Sequence, residues 1–246
     1  MEISGRFSPS TTAILTMEMQ RGVCGDLATF RALQDAVADG VADRVGNLLD
    51  TARRNSFMVV HCIFTLRADR AGTQMDLPIM TAARKNPNYL LQGTDSVALM
   101  PELRQVSTDV VCERHHGVSP FSGTNLDAQL RQQGINTLIV VGVSLNLGIL
   151  GLSIEAVNLG YSVVIAADAV AGFPAQYAQD VLRHSLIAIT EQATVAQIIA
   201  GLTASSATDP THNEGQQLLL DLYDAKDQCQ VSEWQRPLHA PPLRVA

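Results

Sequence analysis

At 246 residues, 46% hydrophobic and 17% charged, the sequence has the composition of a globular chain, long enough for one large α/β domain or two small ones. A net charge of −7 argues against a nucleic-acid groove or an anionic membrane surface as partner, and no apolar run reaches bilayer-spanning length. The N-terminus lacks the apolar core of a signal peptide, so a cytoplasmic protein is expected, whose cysteines (Cys24, Cys62, Cys112, Cys229) form no C-x-x-C spacing and read as reduced, packed thiols.

Apolar runs alternate with helical patterns, as in βαβ units around a mainly parallel sheet. Thr12–Met17 is the first expected strand. Val37, Val41, Val45, Leu48 and Ala52 share one helix face, and Asn55-Ser56 turns the chain into a second strand, Phe57–Ile63. From about Arg67 to Pro101 the sequence is rich in Asp, Gly, Asn and Pro, too long for an ordinary connection and read as an excursion covering a site. Thr108–Cys112 is a short third strand. A helix with Thr124 as N-cap buries Leu126 and Leu130 and stops at Gly134. Thr137–Gly142 is a fully apolar fourth strand, followed by a helix over about 147–159, a fifth strand Ser162–Ala167, a helix Tyr177–Thr190 and a short last strand Ala193–Ala196. The domain is expected to span 1–203. Residues 204–246, with a helical pattern at Gln216–Tyr223 and the single Trp234, read as an extension lying on the domain or on a neighbouring subunit, with a disordered tail as the competing reading.

A parallel sheet places its site at the carboxyl ends of its strands. Glu18 follows the first strand, Arg114 to His116 the third, and Ser144 to Gly148 the fourth, so three polar or glycine-bearing segments converge on one edge. A carboxylate ending a buried strand is costly unless paired or protonated, which marks Glu18 as a structural ion pair or a functional acid. Gly148 and Gly151 in the first turn of a helix mean either tight packing or the close approach of a ligand to the helix N-terminus.

Ala13-Ile-Leu-Thr-Met-Glu-Met-Gln20, Ser119-Pro-Phe-Ser-Gly-Thr124 and Gly142-Val-Ser-Leu-Asn-Leu-Gly-Ile149 together resemble the isochorismatase-like (cysteine hydrolase) superfamily, over roughly Thr11 to Leu202. The resemblance implies a three-layer α/β/α fold with a six-stranded sheet in the order 3-2-1-4-5-6. It also implies a cis bond after Val143 and an oxyanion hole of backbone amides near residue 148. The family's Asp, Lys and nucleophilic Cys fall on Glu18, His115 and Gly148, with Arg114 or His116 at the Lys position if the alignment shifts by one residue. His115 would then pair with Glu18 as an acid/base dyad or merely solvate it. Gln20, Arg67, Arg114, His116, Phe121, Ser144 and Asn146 are the expected substrate contacts, with Arg70 an alternative cation.

Some relatives bind a metal soon after the second strand; here that region reads Phe64-Thr-Leu-Arg-Ala-Asp-Arg70, so neither metal nor cofactor is expected, and His61 reads as packed. The resemblance implies a small-molecule substrate and a homo-oligomer. One reading is a hydrolase without a cysteine nucleophile, of the isochorismatase type, cleaving a vinyl ether or a related C–O or C–N bond with Glu18 as acid. The alternative is an inactive family member that binds a small molecule or acts as a scaffold. A third, weaker reading makes Cys24 a displaced nucleophile.

Overall fold

The computed structural model of the chain describes residues 7–206. Six strands, β1 (Thr12–Met17), β2 (Met58–Phe64), β3 (Val110–Arg114), β4 (Thr137–Val143), β5 (Ser162–Ala171) and β6 (Glu191–Ala193), form one sheet in the order β3-β2-β1-β4-β5-β6. Every neighbouring pair is parallel. All six residues of β1 are buried, as expected of a central strand covered on both faces.

Side-chain alternation divides the core in two. Ile14, Val59, Ile139 and Val164 face one layer with Val45, Leu48 and Leu49, whereas Leu15, Val60, Val140 and Ile165 face the other with Leu126, Leu130 and Leu152. The first layer is built from α1 (Arg31–Ala38), α2 (Val41–Arg54) and α7 (Val195–Ser206). The second is built from α4 (Leu126–Gln132), α5 (Leu150–Asn158) and α6 (Ala175–Asp180). Each fully buried Leu or Ile contributes roughly 2 kcal/mol relative to exposure, so the sheet–helix interfaces dominate the stability.

The helix expected around Val37–Ala52 is two helices, because Gly40 takes φ 75° between them. The last strand is Glu191–Ala193, shorter and earlier than expected, and the apolar run that follows is α7, which crosses the expected boundary at 203 and continues to Ser206. Gln216–Tyr223, Cys229 and Trp234 lie outside the described residues. The excursion contains α3 (Thr81–Lys85) and three short 3-10 turns. No helix among the described residues is long and apolar enough to cross a membrane.

Candidate functional site

β1 ends at Met17, and Glu18 then turns the chain with φ 51°, a left-handed conformation that a Glu rarely adopts. Its amide donates to the Cys62 carbonyl of β2 (2.9 Å) and its carbonyl accepts from the Gln20 amide (2.8 Å), so the adjacent strand and a local bond fix the turn. A left-handed non-glycine residue costs free energy, and such residues gather at functional sites. The turn brings the Glu18 side chain out over the strand ends into a cavity of about 570 Å³.

Arg114, the last residue of β3, reaches over β2 to the same place. Its Nη2 donates to Glu18 Oε1, and its guanidinium lies 5.3 Å from the centre of the Phe64 ring. The Arg114 side chain is 3% exposed and that of Glu18 17%, so the ion pair is largely withdrawn from water. Arg114 Nε and Nη1 are buried without a hydrogen-bond partner.

The expected pairing of Glu18 with His115 is therefore corrected: the imidazole Nδ1 sits 3.1 Å from both Oγ1 and the carbonyl of Thr65, and His115 does not line the cavity. Strand alternation explains the difference. Cys112 and Arg114 are the buried positions of β3, and His115 follows on the opposite side.

The third segment enters from β4. Gly142, with φ 108°, lies beside Met17, and a Cβ there would strike the Met17 backbone, so glycine is required. The Val143–Ser144 bond is cis, and residues Leu145–Ile149 form a π turn leading into α5. Ser144, Asn146, Leu147 and Gly148 line the cavity, and Asn146 Oδ1 is buried without a partner. A Cβ on Gly148 would lie 2.9 Å from Met17 Cε and 3.3 Å from the Val143 carbonyl oxygen, so a side chain at this position requires Met17 to move.

The remaining walls are apolar. Phe30 and Leu33 come from α1 and the turn before it, Phe64 from β2, and Phe173 from beyond β5. Phe30 and Phe173 meet edge to face at 5.3 Å. The excursion closes one side with Pro78 to Ala82, Lys85, Tyr89 and Leu90. Burial and the Glu18 charge push the Tyr89 hydroxyl up to about 12, so it stays protonated beside the carboxylate.

Of the other expected contacts, Gln20 is fully buried and bonds the Phe64 backbone in both directions (3.0 and 2.9 Å), fixing the strand end without reaching the cavity. Arg67 pairs with Asp69 at 2.8 Å on the surface, and Arg70 donates to the Pro87 carbonyl. His116 packs against Gly123, and Phe121 stacks on Tyr161 in the second core layer. None of these five lines the cavity. His61 lies in a buried network, with Thr16 Oγ1 at 2.8 Å and Asp109 Oδ2 at 3.1 Å. Among the described residues, no group of three or more His, Cys, Asp or Glu converges as metal ligands would, and the Arg67–Asp69 pair offers no metal cradle after β2.

Cys24 sits in the core with its Sγ 3.5 Å from Met100 Sδ and 3.7 Å from the Glu18 carbonyl oxygen; burial and the nearby carboxylate push its thiol up to about 12. It borders a separate, smaller cavity. Phe30, Leu33, Lys85 and Tyr89 were not expected from the sequence. A signal existed for Lys85, one of only two lysines in the chain, placed in a segment expected to cover the site.

The isochorismatase domain model matches residues 12–197. The isochorismatase family protein YwoC of Bacillus subtilis is 26% identical over 191 residues, covering 76% of this chain and 92% of that one. The ureidoacrylate amidohydrolase RutB of Agrobacterium fabrum is 26% identical over 176 residues, 65% of this chain and 76% of its own length. A solved cysteine hydrolase from Pseudomonas syringae pv. phaseolicola superposes with a TM-score of 0.68 at 26% identity, covering 81% of this chain and 95% of that chain. With a matched domain over most of its length and the same sheet order, the chain belongs to the isochorismatase family.

Proposed function

We propose that this chain hydrolyses a C–O or C–N bond of a small molecule by direct attack of water, with Glu18 handling the proton. One observation carries the reading: Glu18 is the single carboxylate in a cavity whose described lining includes neither thiol nor imidazole. With neither a thiol to attack nor an imidazole to activate the Ser144 hydroxyl, water is taken as the source of the attacking oxygen. For an amide or ester, a water proton passes to Glu18 as the oxygen bonds to the carbonyl carbon, and Glu18 returns that proton to the leaving nitrogen or oxygen. For a vinyl ether, Glu18 in its protonated form gives its proton to the alkene carbon, water adds to the resulting oxocarbenium ion and returns a proton to Glu18, and the neutral hemiketal splits into a ketone and an alcohol.

Arg114, rather than His115, partners Glu18 and holds its Oε1. Guanidinium stays charged throughout the working range, so it orients Glu18 without competing for the proton. Ser144, Asn146 and the first-turn amides of the helix after β4 would orient the substrate carbonyl or amide. Similarity to an amidohydrolase supports the C–N variant. A homo-oligomer belongs to the same proposal, and sedimentation equilibrium tests it.

The second reading is a protein that binds its ligand without turning it over. The closed Glu18–Arg114 pair and the tight fit of Gly148 over Met17 favour it. Assaying vinyl ethers, amides and ureido acids with wild type and Glu18→Gln separates the two. Turnover by wild type that vanishes in Glu18→Gln supports the hydrolase, whereas saturable binding with no turnover supports the binding protein.

A further inference from the structure

We infer that the cavity takes an uncharged ligand with an apolar body, and that the Tyr89 hydroxyl donates a hydrogen bond to a carbonyl or ether oxygen of that ligand. The inference rests on the reading of this cavity as the ligand site and adds the class of ligand and a residue that selects it. The described lining carries three charged side chains, Glu18, Arg114 and Lys85. Glu18 and Arg114 are paired with each other, and the remaining Arg114 donors are sealed from solvent. Lys85 is exposed, so its ammonium keeps its water. An anion entering the cavity would give up its own water and find no free buried cation in return, and a cation would find the one carboxylate already taken. Phe30, Leu33, Phe64, Met80, Leu90 and Phe173 instead suit a hydrocarbon or aromatic body.

Tyr89 supplies the second, independent observation. It is the one phenol of the described lining, and its hydroxyl bonds to no described residue. Unlike the spare Arg114 donors, that hydroxyl is not sealed from solvent, so a ligand in the cavity can reach it. It keeps its proton at neutral pH and is therefore a donor. The backbone holds the ring in place from both sides. The Tyr89 amide donates to the Asn86 carbonyl (3.0 Å), and Leu90 follows with φ 46°, a left-handed conformation. The Leu66 amide, just beyond β2, donates to the Leu90 carbonyl (2.7 Å), and the Leu66 carbonyl accepts from the Gln92 amide (2.9 Å). A donor carried on so fixed a turn gives up little freedom when it meets an acceptor, and its hydrogen bond adds selectivity at low cost.

The test is ligand-observed NMR titration of the full chain with four probes of nearly one shape: acetophenone, α-methylstyrene, benzoate and 1-phenylethylamine. Acetophenone is expected to saturate the protein and to bind at least about tenfold tighter than the anion or the cation. Tyr89→Phe should weaken acetophenone about fivefold and leave α-methylstyrene, which has a methylene in place of the carbonyl oxygen, unchanged. Benzoate or the amine binding as tightly as acetophenone, acetophenone failing to saturate, or a Tyr89→Phe variant that binds acetophenone as wild type does each overturns the inference. So does a variant that loses both neutral probes alike, since the ring and not the hydroxyl would then matter. The charge comparison uses wild type alone and stands whatever Tyr89→Phe does to the fold. None of the four probes has a bond that hydrolysis would break, so failure here sinks the ligand class, whereas absence of turnover on every substrate sinks the hydrolase reading.

Discussion

Arg114 at the end of β3 reaches across β2 to the Glu18 carboxylate at the end of β1, while the adjacent His115 ring turns away to Thr65. Two strand ends separated by a third are thus tied by one ion pair, packed against the Phe64 ring. The pair fixes a carboxylate that would otherwise swing on a longer side chain than the family's Asp.

Breaking that pair from one side should destabilise the fold more than removing it whole. Arg114→Met leaves a mostly buried carboxylate unpaired, and urea denaturation should show a loss of about 3 kcal/mol. Adding Glu18→Gln to that variant should restore much of it, because neither charge then remains. Additive losses in the double mutant would mean that the two side chains do not depend on each other.

Gly148 should resist conversion to the family's nucleophile. Gly148→Ala is expected to cost about 1 kcal/mol, because the new methyl presses on Met17. Gly148→Cys should not create activity that iodoacetamide abolishes. Alkylation-sensitive turnover appearing in that variant would mean that the site accepts a thiol after all.

Native thiols should be equally irrelevant to catalysis. Cys24, Cys62 and Cys112 are all buried, and none lines the larger cavity. Cys24→Ser should retain turnover within about threefold, since a packed thiol and a hydroxyl differ little in volume. Loss of activity with an unchanged unfolding midpoint would revive Cys24 as a nucleophile.

Acid should weaken the fold through the buried network of His61, Thr16 and Asp109. Burial holds the His61 pKa below its ordinary 6.5 despite the Asp109 hydrogen bond. As pH falls through 6.5 the unfolded chain therefore takes up a proton that the folded chain refuses, and stability drops. Asp109 follows at lower pH. Burial raises its pKa, but Arg53, the Val106 amide and His61 together bring it below 3.8. Its contribution, present above about 3.8, is lost as pH falls through the lower folded value. Urea midpoints measured from pH 7.5 to 5 should decline in wild type and stay nearly flat in His61→Gln; parallel curves would place the acid sensitivity elsewhere.

The strands were legible because periodicity is local, whereas the strand order followed from the family resemblance. Thr12–Met17 and Thr137–Gly142 are mostly apolar, with no charged residue, and fit strands covered on both faces. The run Val195 to Leu202 was harder, since a short apolar stretch suits a strand or a buried helix equally. At the site, counting back from the Ser-Pro-Phe frame gives His115, whereas counting along β3 gives Arg114. Alternation within the strand makes Arg114, not His115, the buried residue at its end. Phe30 and Leu33 were not legible, because they meet the strand ends only through tertiary packing of α1 and the turn before it.

The most direct measurement compares kcat for Glu18→Gln and His115→Ala on one substrate that wild type turns over. Glu18→Gln should lose about 10²–10⁴-fold, whereas His115→Ala should stay within about threefold, as expected of an imidazole outside the cavity. A Glu18→Gln enzyme at wild-type rate, or a His115→Ala enzyme as impaired as Glu18→Gln, would contradict the account.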